Sequence, residues 1–109
     1  MTIYVDDVMI PASVPNGSRM VTSRWCHLMS DQLDPSELHR FARRIGLRRT
    51  WFQHKPDDPV HDHYDVTLSR RAAAIRAGAV QIDAYGLGEL LRRRRAAVRV
   101  LESEPDLFK

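Results

Sequence analysis

The stretch DPSELHRFARRIG, residues 34–46, carries the clearest structural signal in the chain. Asp34 can cap a helix, Pro35 is favoured in a first helical turn, and Gly46 suits the left-handed position that follows a helix. Between them the apolar side chains recur at spacings of three and four, at Leu38, Phe41, Ala42 and Ile45. This spacing predicts an amphipathic helix whose opposite face carries arginines.

Short apolar, β-prone runs lie on both sides of this helix. We expect strands at Ile3–Val5, Thr50–Gln53 and Ala79–Ile82, and further helices over about Leu68–Ala77 and Leu87–Leu101. Strands and helices then alternate in the order β-α-β-α-β-α. That order predicts an α/β fold with a small, open, mainly parallel three-stranded sheet and helices packed on it.

The remaining segments are predicted from their turn residues and polarity. Pro11–Ser18 predicts a loop, Trp25–Ser30 a short helical piece, and His54–His63 a polar loop. Residues 1–85 are expected to form an α/β core domain. Residues 86–109 are expected to form an arginine-rich C-terminal helix and tail that packs on this core or extends from it.

Length and composition exclude several classes of protein. A chain of 109 residues with 43% hydrophobic and 28% charged residues fits one folded domain and is too apolar for a disordered chain. The single cysteine, Cys26, excludes an internal disulfide framework and a cysteine-based zinc site. No apolar run approaches the roughly 18 residues of a membrane span, and the N-terminus does not read as a secretory signal. We therefore expect a cytoplasmic protein with no membrane partner.

Most of the 17 basic residues are arginines. This bias indicates either phosphate recognition or the codon usage of a GC-rich genome. On the last predicted helix, Arg92, Arg93, Arg95 and Arg99 lie off the apolar stripe and are candidates for binding nucleic acid or a protein partner. A solvated charged face is the alternative. Arg94 interrupts this apolar stripe. Either a carboxylate pairs with Arg94, or the helix is only half docked on its own domain. In the second case, pairing with the same helix of another copy would give a homodimer.

Polar side chains follow the first two predicted strands. Two carboxylates come after the first strand, and a His-x-His-x-Asp sequence comes after the second. In open parallel sheets, ligands bind where the carboxyl ends of the strands meet. We therefore expect one concave edge to be surrounded by Asp6, Asp7, His27, His63 and Asp65.

The spacing His61-x-His63-x-Asp65 places three side chains on one side of an extended segment. Two imidazoles and a carboxylate suit a divalent metal such as magnesium, manganese or zinc, and Asp6 and Asp7 are further candidate ligands. The alternative is a polar loop without metal. In that case Asp65 caps the following helix and His63 bonds to a strand end.

The candidate catalytic groups are His27, His63 and Asp65. On the predicted helix, His27 could act as a base oriented by Asp31 four residues later, or it could be a partly buried packing residue beside Trp25. The chain contains no G-x-G-x-x-G, P-loop, G-x-S-x-G or H-E-x-x-H sequence. Standard nucleotide-cofactor and serine-hydrolase functions are therefore unsupported.

Several segments together resemble a family of small bacterial and phage proteins, domain of unknown function 4031. The resemblance spans about residues 3 to 80 and leaves the last helix outside. It implies a bacterial or phage cytosolic setting and supplies no catalytic residue. The segments that carry it are Tyr4-Val5-Asp6-Asp7, Trp25-Cys26-His27-Leu28, Glu37-Leu38-His39-x-Phe41-Ala42, Ile45-Gly46, Trp51-Phe52 and His63-Tyr64-Asp65.

Two functions remain open at this point. The first is a metal-dependent hydrolase of phosphodiester or nucleotide substrates that uses the carboxylates and histidines. The second is a non-catalytic module that binds nucleic acid or a protein through the arginine-rich helix.

Overall fold

The computed structural model describes residues 2–103, which form six strands and three helices. The strands are β1 (Ile3–Val5), β2 (Ile10–Asn16), β3 (Arg19–Ser30), β4 (Phe52–Gln53), β5 (His63–Val66) and β6 (Val80–Gln81). The helices are α1 (Ser36–Arg44), α2 (Leu68–Arg76) and α3 (Ala84–Ser103). A short 3-10 turn at Arg49–Trp51 directly precedes β4, and a second one at Pro59–His61 lies shortly before β5.

The sheet is mixed and mostly antiparallel. Its order is β4-β5-β3-β1-β6, and β2 pairs with β3 outside this path. Among residues 2–103 only β1 and β6 pair in parallel, and the other four pairings are antiparallel. The fold is α/β, but the predicted three-stranded, mainly parallel sheet is wrong.

One cause of this error is the segment predicted as a proline-rich loop, which belongs to a β-hairpin. β2 and β3 pair from Ile10↔Trp25 to Asn16↔Arg19, with Gly17 and Ser18 as the turn. Gly17 has φ 64°, which suits the first central position of a type II′ turn. Prolines are tolerated in β2 because it lies at an edge, where one side of the strand needs no hydrogen-bond donors.

The second cause is Trp25–Ser30, which is not helical but forms the second half of β3. Within it, Cys26 and Leu28 are fully buried, whereas Trp25 and His27 lie half-buried on the opposite face. This alternation has the period of a strand. A six-residue, largely apolar segment is compatible with either structure, and β1 and β5, which pair with it, are distant in sequence, so local propensity could not decide.

The helices α1 and α2 confirm two of the predicted helices and cover one face of the sheet. Gly46, at φ 85°, follows α1 in the left-handed conformation, and the Leu47 amide donates to the Ala42 carbonyl. This pattern is a Schellman motif. The core between these helices and the sheet is built from Ile3, Val5, Cys26, Leu28, Leu38, Phe41, Ala42, Ile45, Leu47, Tyr64, Val66, Ala74 and Ala79.

The helix α3 lies on the other face. The Arg93 guanidinium is 5.9 Å from the centre of the Tyr4 ring, and Tyr4 alternates along β1 with two core residues. α3 begins at Ala84, three residues before the predicted start at Leu87, and the Asp83 carboxylate accepts the Gly86 amide. No helix within residues 2–103 is both long and apolar enough to span a membrane.

Arg94 is buried, with 1% of its surface exposed, and anchors α3 through main-chain carbonyls. Its guanidinium donates to the carbonyls of Val60, Asp62 and Gln32 at 2.7, 3.0 and 3.4 Å. Burial lowers the pKa of Arg94, and the nearby carboxylates of Asp62 and Asp31 oppose that shift. The arginine that interrupts the apolar stripe therefore docks the helix.

Arg94→Ala should destabilise the protein by about 3 kcal/mol, because it leaves buried carbonyls without donors and opens a cavity. Arg95→Ala is the matched control, since Arg95 is exposed on the same helix turn and should change stability by less than about 0.5 kcal/mol. Urea unfolding of both variants measures the difference. Equal stability of the two variants would contradict the anchoring role of Arg94.

Candidate metal centre

Three side chains converge on the face of the sheet opposite the main core. β3 and β5 pair antiparallel with His27 directly opposite Asp65, and His63 lies two residues before Asp65 on the same face. The Asp65 Oδ1 atom is 3.2 Å from His63 Nε2 and 4.0 Å from His27 Nε2. One ligand atom of each residue lies within 4.8 Å of the other two. We call these three residues the cluster.

Asp6 orients the His27 ring. It is 1% exposed, at the end of β1, and its carboxylate accepts the His27 amide at 2.8 Å and faces His27 Nδ1 at 2.7 Å. Because a carboxylate only accepts hydrogen bonds, Nδ1 carries the ring proton. When the ring is neutral, its Nε2 atom keeps its lone pair and faces the cluster. Arg71 donates to the Asp6 carbonyl at 2.9 Å and tightens this strand end.

The His63 ring is also held through its Nδ1 atom, but by a main-chain carbonyl and not by a carboxylate. Its Nδ1 atom donates to the His61 carbonyl at 2.6 Å, so Nε2 faces Asp65. The same loop carries the Val60 and Asp62 carbonyls that Arg94 holds from α3. The orientation of His63 therefore depends on a loop that α3 anchors through Arg94.

The charges of His63 and Asp65 stabilise each other. Burial disfavours the charged His63 ring, but its bonds to Asp65 and to the His61 carbonyl outweigh burial and raise the pKa of His63. Burial likewise disfavours the Asp65 carboxylate, while the bond to His63 and the charges of His63 and His27 lower the pKa of Asp65. Without a bound cation the two residues form an ion pair.

Some candidate ligands lie outside the cluster. Asp7 is exposed, and it is not among the residues whose ligand atoms converge. The side chain of His61 points to Asp58, at 2.8 Å, because His61 ends a 3-10 turn and does not continue β5. Extended spacing therefore holds for His63 and Asp65 but not for His61.

Two alternative roles from the sequence also differ in the structure. Asp31 does not orient His27, since its Oδ1 atom accepts the Thr2 amide at 3.0 Å. Residues four apart, such as His27 and Asp31, are neighbours on the predicted helix, but they lie far apart in an extended chain. Thr67, and not Asp65, caps α2 by accepting the Arg70 amide.

A cleft of about 420 Å³ adjoins the cluster, and Asp65 forms part of its wall. Trp25 and Trp51 also line it, together with side chains from the hairpin and from the start of α2. Sequence reasoning missed this cleft because it depends on how the hairpin stands against the 3-10 turn at Arg49–Trp51. The only local signal was the presence of two tryptophans close to the candidate site residues.

The four exposed arginines of α3 lie in different environments. Arg92 pairs with Glu89 at 2.6 Å, and Arg93 lies against Tyr4. Arg95 and Arg99 are exposed and have no acidic partner among residues 2–103.

The chain matches the family described as Protein of unknown function (DUF4031) over residues 3–96. It belongs to this family. The match confirms the resemblance drawn from the sequence, and it extends further, through Arg94 and most of α3, so the arginine run is not outside the family region. Neither the curated proteins nor the solved structures contain a match to the DUF4031 chain.

The ion pair predicts a specific dependence of stability on pH in metal-free protein. A raised His63 pKa gives stability that is present below 6.5 and lost as pH rises through the folded value, above 6.5. A lowered Asp65 pKa gives stability that is lost as pH falls through the folded value, below 3.8. The difference in unfolding free energy between wild type and His63→Gln should therefore peak at about pH 5.

Urea unfolding at a series of pH values, with chelator present, measures this difference. Asp65→Asn should show the same pH profile, because it removes the other half of the pair. A difference that stays constant from acidic to alkaline pH would contradict the ion pair.

Proposed function

We propose that this protein is a metal-dependent hydrolase of phosphodiester or nucleotide substrates, with His27 Nε2, His63 Nε2 and Asp65 Oδ1 as the metal ligands. The observation that carries the proposal is the orientation of the two rings. Both Nδ1 atoms are held by acceptors, and both Nε2 atoms face one carboxylate. Metal-binding histidines in proteins characteristically donate their other ring nitrogen to a carboxylate or a carbonyl.

The distances support a small divalent ion. Ligands about 2.1 Å from a tetrahedral zinc ion lie about 3.4 Å from one another. The two distances to Asp65, 3.2 and 4.0 Å, lie on either side of that value, and the ligand atoms, all within 4.8 Å of one another, would draw closer around a bound ion. Two imidazoles favour zinc or manganese over magnesium, which prefers oxygen ligands.

The exposure of the cluster supports catalysis over a purely structural role. The side chains of His27, His63 and Asp65 are 24%, 22% and 40% exposed, so solvent reaches the ligand side. Three protein ligands with an open position are typical of catalytic zinc sites. A metal there would supply an activated water and polarise a phosphoryl oxygen. Asp65 also borders the cleft, so a substrate held in it would reach the metal.

Metal binding should depend on His63 and not on its neighbour His61. With zinc or manganese at 100-fold above the dissociation constant, wild type should gain about 2.7 kcal/mol of stability. His63→Ala should lose this gain, and His61→Ala should keep it because the His61 side chain points to Asp58. Thermal unfolding in metal titrations, compared with chelator, measures both variants. Equal behaviour of the two variants would contradict the assigned ligands.

Asp6→Asn tests the orientation of His27 directly. The asparagine amide can still accept the His27 backbone amide, but it would donate to Nδ1 and move the ring proton to Nε2. Metal affinity should fall about 10- to 100-fold. Nitrogen-15 NMR of the ring reports the protonated nitrogen, and calorimetry reports the affinity. An unchanged tautomer together with unchanged affinity would exclude the orienting role of Asp6.

Hydrolysis itself is tested with bis(p-nitrophenyl) phosphate and with mononucleotides. Wild type should release product only with zinc or manganese, and His63→Ala should be inactive under the same conditions. His61→Ala is again the control and should remain active. Metal binding without turnover of any phosphate ester would reject the hydrolase and leave a metal-binding protein.

A second candidate function, nucleic-acid binding, rests on Arg95 and Arg99. They are four residues apart on the exposed side of α3 and have no acidic partner among residues 2–103. If both contact phosphates, replacing them by glutamine should reduce the slope of log affinity against log salt by about 1.8. Arg92→Gln is the control, since Arg92 already pairs with Glu89. Gel shifts at several salt concentrations measure the slope, and no binding at low salt would remove this function.

A further inference from the structure

We propose that the cleft beside Asp65 binds a nucleotide, with the base against Trp25 and Trp51 and the phosphate at Arg70. The proposal rests on the hydrolase function only for the reaction that would follow. The binding itself depends on the cleft. This proposal narrows the substrate of the hydrolase from phosphate esters in general to phosphate esters that carry a flat aromatic ring.

Besides Asp65 of β5, several separate elements contribute side chains to the walls of the cleft. The hairpin contributes Val14, Val21 and Trp25, the 3-10 turn contributes Trp51, and the first turn of α2 contributes Arg70. Its volume of about 420 Å³ lies within the range of small-molecule sites. Mostly apolar walls with a few polar groups are typical of such sites.

The two indole rings favour a flat aromatic ligand. Trp25 is held in place because its ring nitrogen donates to the Ala12 carbonyl across the hairpin at 3.0 Å. Trp51 is half-buried, and the Arg48 guanidinium carbon is 5.6 Å from the ring centre. Aromatic side chains bind unstacked bases through their ring faces with little preference for base identity.

The charges around the cleft favour an anion on the same ligand. Arg70 uses one donor, Nη1, for the Ile45 carbonyl at 2.8 Å, so most of its five N–H groups are left for a ligand. The protein carries a net charge of +3. Asp65, at the edge of the cleft, forms an ion pair with His63 when no metal is bound, so its charge is compensated with or without a cation. A phosphate at Arg70 is therefore compatible with both metal-free and metal-loaded protein.

Intrinsic fluorescence is a direct probe, because the chain has two tryptophans and both line the cleft. AMP should change the fluorescence of the full chain saturably, with zinc and also with chelator. AMP should bind at least about tenfold more tightly than adenosine, and Arg70→Gln should remove this advantage. Arg70→Lys keeps a charge at this position and should retain part of it, and urea unfolding checks that both variants fold.

A second pair of variants tests the base. Trp51→Ala should weaken AMP binding by about tenfold or more, whereas Trp51→Phe keeps an aromatic face and should bind within about threefold of wild type. Trp25 remains as the reporter in both. No saturable response to AMP, GMP, CMP or UMP would overturn the proposal, and so would equal affinity for AMP and adenosine in wild type.

The two proposals fail independently in this design. Nucleotide binding in chelator, together with no metal binding, would leave the cleft assignment standing and reject the hydrolase. Metal binding and phosphate-ester hydrolysis without any response to nucleotides would reject the cleft assignment and leave the hydrolase with a different substrate.

Discussion

The antiparallel pairing of β3 with β1 on one side and β5 on the other is the constraint on which the site depends. It places His27 beside Asp6 and opposite Asp65. A slip of either pair by one residue would turn the facing side chains to the wrong side of the sheet. Such a slip is resisted because Cys26 and Leu28, which alternate with His27, are fully buried in the core. The apolar face of β3 therefore fixes the geometry of its polar face.

Two buried charged residues, Asp6 and Arg94, help to fix the positions of the histidine rings in the cluster. Removing an ion from water costs several kcal/mol, so a buried carboxylate or guanidinium must be well hydrogen-bonded. Asp6 meets this requirement through His27. The two terminal nitrogens of Arg94 meet it through three carbonyls of the loops that follow β3 and precede β5, whereas Arg94 Nε has no partner within residues 2–103. Each network ends near one histidine of the cluster, Asp6 at His27 and Arg94 next to His63. The interactions that make burial tolerable therefore also limit the movement of the rings.

The sequence predicts best those parts of the fold that are decided locally. α1 and α2 have apolar periodicity and glycine-terminated ends within a single helix length, so both were predicted. β4 and β6 lie within two of the predicted strands, whereas β5, at four residues, is too short for periodicity to identify it. For the site too, the features decided locally were predictable and those decided by strand pairing were not. His63 and Asp65 share a face because of their spacing, but the partners of His27 depend on strand register, which the sequence does not encode locally.

The state of the cluster without metal bears on the proposed metal site. The bonds of both Nδ1 atoms are made to groups outside the cluster, at Asp6 and at the His61 carbonyl. They are unchanged whether His63 Nε2 carries a proton facing Asp65 or a metal ion takes the place of that proton. A metal ion in that place would leave both Nδ1 bonds intact, while the ligand atoms, which now lie within 4.8 Å of one another, would draw closer around it. The two fixed Nδ1 bonds are therefore the physical ground for proposing these three residues as metal ligands.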